Sequence, residues 1–148
     1  MDVRVTNAQR RDPVQTEHIT RLARCALKCL HIRRAGTFAI SFIDSRTMRT
    51  LNKRVMGHDY TTDVLSFRYD GEPIVGEILI APSQARAYAA KHGLAYHEEL
   101  CRYVAHGLLH WLGHEDATRA QQRRMRALED RLLARCPQRK SRLSDTPT

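Results

Sequence analysis

The strongest constraint on the fold is a change of hydrophobic period near residue 83. Before it, apolar residues alternate one by one in short stretches; after it they recur every three or four residues for the rest of the chain. Val3 and Val5 alternate with Asp2, Arg4 and Thr6. In TFAISFI, Phe38, Ile40 and Phe42 face one way and Ala39, Ser41 and Ile43 the other. DVLSF (63–67) and PIVGEILI (73–80) read as two more strands, with Gly76 a bulge candidate. Between the first two strands, Asp12-Pro13 reads as N-cap and first residue of a helix. That helix carries Ile19, Leu22, Ala26, Cys29 and Leu30, runs to about Arg34 and is ended by Gly36. Asp44 caps a second helix with Met48, Leu51 and Val55. Beyond Ser83, one helix closes at Gly93, and a longer one over 96–112 turns Leu100, Val104, Leu108 and Trp111 inward. Thr118 and Gln121 form a capping box that opens the last helix, with Met125, Leu128 and Leu132 inward and many Arg outward. Early strands with helices packed around them predict one α+β domain, with no internal repeat and no linker.

A chain of 148 residues suits one such domain and buries enough surface to need no disulfide staples. Hydrophobic residues at 42% exclude wholesale disorder, and no apolar run approaches the ~20 residues of a membrane span. The start, MDVRVTNAQRRD, puts charges where an export signal would be apolar, so a cytoplasmic location and four reduced cysteines are expected. Lys+Arg 25 against Asp+Glu 16 gives a net charge of +9, which suits a partner rich in phosphates. Part of that excess lies in the segment after residue 136, so the expected organisation is a domain over 1–136 and a flexible basic tail over 137–148.

The chemistry concentrates in HGLLHWLGHED, residues 106–116. His106 and His110 sit one helical turn apart, so both rings can address one ion. The spacing alone also suits two solvated or hydrogen-bonded histidines. In a straight helix His114 would lie about 12 Å along the axis from His106, too far to share that ion. Gly113 is placed to stop the helix, after which the chain can fold back and offer His114, Glu115 or Asp116. The resulting H-x-x-x-H-x-x-G-x-x-D has the spacing of the metzincin motif, but Gly107 occupies the place of those proteases' general-base Glu. Three protein ligands with an open position describe a catalytic metal site.

These residues resemble the hallmark of the YbeY family of bacterial endoribonucleases, H-G-x-L-H-x-x-G-[YH]-D-H, with Glu115 at its Asp position and Asp116 at its usual third metal His. LNKRVMGHDYTTDVLSF (51–67) resembles the family's L-N-x-x-[YF]-x-x-x-D-x-x-T-D-V-L-S-F, and GEILIAPSQARAYA (76–89) is similar to its G-[DE]-I-x-I-x-x-x-x-A. The likeness runs in order from about residue 36 to 133. It implies a small mixed sheet of about four strands flanked by about five helices, with the metal at the end of the His helix. It also implies a metal-dependent, single-strand-specific endoribonuclease that matures the 16S rRNA 3′ end and serves ribosome quality control. The expected partners are single-stranded rRNA, the small ribosomal subunit and ribosome-associated proteins, with no membrane and no DNA. Zn²⁺ is the expected ion, another divalent metal being an alternative, with His106, His110 and Asp116 as ligands and His114 as the alternative third. An Arg common in the family's second block falls on Met56, so either GHDY (57–60) does the equivalent work, with Arg54 or Arg68 as other sources of the cation, or activity is weakened. Arg54 and His114 are the catalytic candidates, and no general base is identified.

The remaining residues admit plainer roles. Thr62 and Ser66 could meet phosphate or simply bond within a strand, and Asp63 could orient a loop. Cys25 and Cys29 lack a second pair at zinc-finger spacing and read as core thiols, as do Cys101 and Cys136. The last helix reads as a solvated face, with an RNA track as a secondary use. Two rival functions remain: a catalytically weak ribosome-assembly factor with a structural metal, and a metzincin-like hydrolase of other substrates.

Overall fold

The computed structural model describes residues 1–57, 62–71 and 73–136. Four strands, β1 (Asp2–Asn7), β2 (Thr37–Phe42), β3 (Val64–Arg68) and β4 (Ile74–Ile80), form one sheet in the order β1-β2-β4-β3. β1, β2 and β4 run parallel, and β3 pairs antiparallel with β4. Among the described residues five α-helices accompany it: α1 (Thr16–Cys29), α2 (Ser45–Leu51), α3 (Pro82–His92), α4 (Tyr96–Trp111) and α5 (Arg119–Arg135). The α+β domain with a small mixed sheet is thus as expected. The 137–148 tail lies outside the described residues.

The alternation in β2 does what its pattern demands. Phe38, Ile40 and Phe42 are fully buried against α1 and α4, while Ile43, just past the strand, joins Met48, Leu65 and Ala81 in a second cluster. α4 is the central helix, with Leu100, Val104, Leu108 and Leu109 excluded from solvent. Asp44 caps α2 by accepting from the Thr47 N–H, and that bond holds its carboxyl below the usual range. α2 then widens into a π-helical turn over Asn52–Met56 that ends at Gly57.

The start of α1 differs from the sequence expectation. Gln15 is its N-cap, and Asp12 instead sits buried, its carboxylate paired with Arg86 and its N–H bonded to Gln9 Oε1. A long-range ion pair outcompeted the local cap. The helix also stops early, at Cys29, because His31 enters the left-handed region (φ 57°); Gly36 instead leads into β2.

The bulge falls one residue from its predicted place. Thr37 pairs with Ile74 but Phe38 with Gly76, which leaves Val75 as the extra residue on β4. The shift puts Gly76 beneath the indole of Trp111, where an added Cβ would lie 2.5 Å from Nε1 and 2.6 Å from Cε2. Trp111 is locked there by an edge-on contact with Phe38 and a hydrogen bond to the Val75 carbonyl. Gly76→Ala should therefore cost about 1–3 kcal/mol as overpacking, read as a lower urea midpoint at constant slope.

Candidate metal centre

The site begins where α4 ends. Gly113 (φ 99°) donates to the His110 carbonyl, and the His114 N–H reaches back to the Leu109 carbonyl. These two bonds are a Schellman closure, and they turn the chain off the helix axis. The following segment is tied to α5 by the Thr118–Gln121 capping box and by Gln122 Nε2 donating to the Asp116 carbonyl. Asp116 is thereby brought back over the last two turns of α4.

Asp116 Oδ2 lies 3.4 Å from His106 Nε2 and 3.4 Å from His110 Nε2, with the two rings 4.5 Å apart and nearly perpendicular. For a tetrahedral ion with bonds of about 2.0–2.2 Å, adjacent donors should be roughly 3.3–3.6 Å apart. Both Asp116 contacts match that edge, all three donor atoms lie within 4.8 Å of one another, and all three residues remain partly open to solvent. His114, the alternative third ligand, contributes its main chain to the turn and is not in the converging set.

Behind the rings stands a residue that sequence reading missed. Glu129, buried on α5, accepts from His106 Nδ1 at 2.7 Å through one oxygen and from Arg102 Nη1 at 2.9 Å through the other. Arg102 also bonds Asp130 at 2.8 Å. A carboxylate on Nδ1 fixes the tautomer that leaves Nε2 free to ligate. Burial works against the imidazolium of His106, but the Glu129 bond and the charges of Glu129, Asp63 and Asp116 outweigh it and raise the pKa.

A cleft of about 250 Å³ opens beside His106 and Asp116. Its walls carry four carboxylates, Asp63, Glu99, Asp116 and Glu129, against Arg102 and Arg126. Burial pushes the Glu99 carboxyl above its usual range, Arg102 and Arg126 opposing. Such a cleft repels a phosphodiester until a cation occupies it.

Other candidates fall elsewhere. Ser66 Oγ donates to the Gly107 carbonyl at 3.0 Å, so its hydroxyl joins strand to helix. Arg68 binds the Trp111 carbonyl and lies over the indole. Arg54 is exposed on the π-helical turn and does not line the cleft. Met56 is exposed, and the GHDY substitute lies, apart from Gly57, outside the described residues. Gly107 faces the sheet: a Cβ there would meet Ile78 at 3.0 Å and Val64 at 3.1 Å. A glutamate at this position would point into β-sheet packing, so the metzincin arrangement has no room here.

The fold and site together define a small α+β protein with a two-histidine, one-carboxylate donor set at the end of a helix. The family model for Endoribonuclease YbeY matches residues 4–137, and the chain belongs to that family. The YbeY endoribonuclease of Geobacillus thermodenitrificans is 31% identical over 134 residues, covering 82% of this chain and 86% of its own. That of Ureaplasma parvum is 35% identical over 108 residues, covering 70% of each. A solution structure of a Thermotoga maritima protein superposes with a TM-score of 0.61 at 20% identity, over 95% of this chain and 97% of that one, a likeness of fold. Among the described residues no helix is long and apolar enough to cross a membrane.

Proposed function

We propose that this protein is a zinc-dependent endoribonuclease that cuts single-stranded ribosomal RNA, in maturation of the 16S rRNA 3′ end and in ribosome quality control in the cytoplasm. Membership of an endoribonuclease family supports the reaction class. The observation that carries the metal dependence is the convergence of His106, His110 and Asp116 at the spacing an ion requires. When bound, the ion supplies Lewis acidity toward a phosphoryl oxygen and acidifies water. His106, oriented by Glu129, presents Nε2 with its lone pair outward. Asp116 contributes negative charge, leaving a two-plus ion with a net charge of +1 among the three ligands. That surplus, with Arg102 and Arg126 on the cleft wall, balances Asp63, Glu99 and Glu129, so the filled cleft no longer repels a phosphate. The +9 chain holds the strand through its phosphates, so binding weakens steeply as salt rises.

End-labelled single-stranded RNA, incubated with the purified protein, should be cut, should survive in chelator, and should be cut again on adding Zn²⁺. Duplex RNA and DNA of the same sequence should persist. Binding to small ribosomal subunits with no cleavage under any metal would replace the enzyme with an assembly factor. Peptide cleavage in place of RNA cleavage would favour the metzincin-like reading.

A further inference from the structure

Cys101 is a free, buried thiol as expected, but the other three cysteines are not the separate, reduced core thiols expected from sequence. Cys25 and Cys29 lie one turn apart on α1, and Cys136, at the end of α5, meets them from 107 or more residues away. Cys25 and Cys136 form a disulfide with Cα atoms 5.7 Å apart, and Cys29 keeps a free thiol whose Sγ is 3.9 Å from that of Cys136. We propose that the reduced protein binds a second, thiophilic metal ion through Cys25, Cys29 and Cys136, on the face of α1 remote in sequence from the His helix.

Three sulfurs fall within 4.8 Å of one another, the donor count of a Cys₃ site. The Cys29–Cys136 separation is close to the roughly 3.8 Å edge of a tetrahedron with metal–sulfur bonds of about 2.3 Å. Soft thiolates select Zn²⁺ or Cu⁺ over Mg²⁺ or Ca²⁺. Three thiolates around Zn²⁺ carry a net charge of −1. The cavity beside Cys29, about 570 Å³, is rimmed by Arg24, Lys28, Arg33 and Arg135, which offset that charge. His31 lines the same cavity but is not among the three converging donors, so the site is a Cys₃ set with an open position.

The chemistry balances with a small thiol as reductant. Two RSH reduce the Cys25–Cys136 bond to two thiols and leave as RSSR; the three thiols then lose three protons to the solvent as the ion binds. Oxidation reverses the first step and takes two of the three ligands away. The site ties the end of α5 to α1, and α5 is the helix that carries Glu129 to His106.

The test is anaerobic titration of the reduced, full-length protein with Co²⁺, after a thiol assay has counted four free cysteines. The expected spectrum contains a sulfur-to-cobalt charge-transfer band that saturates at one equivalent, in addition to the weaker bands of the His106–His110–Asp116 site. Cys29→Ser should lose the charge-transfer band and keep the other ion, and His110→Ala should do the opposite. The disulfide form should show no such band. Four free thiols without the band, a band undiminished in Cys29→Ser, or failure of the small thiol to open the disulfide each overturn the proposal. None of these outcomes bears on the His site, which is read separately.

Discussion

His110→Ala leaves a folded chain that no longer retains stoichiometric metal and cleaves single-stranded RNA on the order of 10³-fold more slowly. The size follows from the several kcal/mol of transition-state charge stabilisation a metal supplies, at about 1.4 kcal/mol per tenfold. The structure adds a further reason for a large effect. With the ion gone, the cleft holds four carboxylates, and an approaching phosphodiester meets net repulsion. The fold is spared because the His110 side chain is 30% exposed and packs on His106 and Asp116, while the Schellman turn uses only its carbonyl. Metal content by mass spectrometry on wild type beside the His106, His110, His114 and Asp116 alanine variants reads the ligand set directly. His114→Ala should keep its ion, and the other three should lose it. Stoichiometric metal in His110→Ala would sink the assignment, and metal loss confined to His114→Ala would transfer the third ligand to that residue.

The difference between what was legible and what was not lies in the range of the interactions. β2, the Asp44 cap, the Thr118–Gln121 box and the stop at Gly113 are decided within a few residues, so their signals sit in consecutive letters. The candidate third ligand could be narrowed to His114, Glu115 or Asp116 because the helix rise forbids His114 from sharing an ion in a straight continuation, so the chain must fold back. The family resemblance then picked Asp116 among them, and Gln122, holding the Asp116 main chain, is a contact that only the placement of α5 reveals. Asp12 has the local form of a cap, yet Arg86, 74 residues on, claims its carboxylate. Gly107 read as a missing catalytic Glu; the sheet side chains beneath it show that packing, not chemistry, sets that residue. The cysteine cluster was invisible for the same reason as Glu129: each joins helices far apart in sequence. Glu129 is embedded in RALEDRLLAR, where two adjacent acids among arginines look like an ordinary solvated face.

Glu129→Gln should weaken metal binding by roughly 10- to 100-fold while the protein stays folded, the usual effect of removing a carboxylate behind a ligating histidine. In the wild type the two oxygens serve two donors, His106 Nδ1–H and the Arg102 guanidinium. An amide of the same shape has one accepting oxygen and one donating NH₂, so it can satisfy only one of them. If the oxygen turns to Arg102, the NH₂ faces Nδ1 and favours the tautomer whose proton sits on Nε2, the atom the ion needs. If it turns to His106, the guanidinium loses one partner but keeps Asp130. Either way the ion loses the negative charge that makes the imidazole a stronger donor. Glu129→Ala should go further and lower stability toward the lower end of the ~3–5 kcal/mol that breaking a buried pair costs, since Arg102 still holds Asp130. Competition with a chromophoric chelator measures the affinity, and urea denaturation with metal removed measures the stability. A Glu129→Gln protein with wild-type metal affinity would show that the 2.7 Å contact to Nδ1 only packs the helix and does not orient the ring.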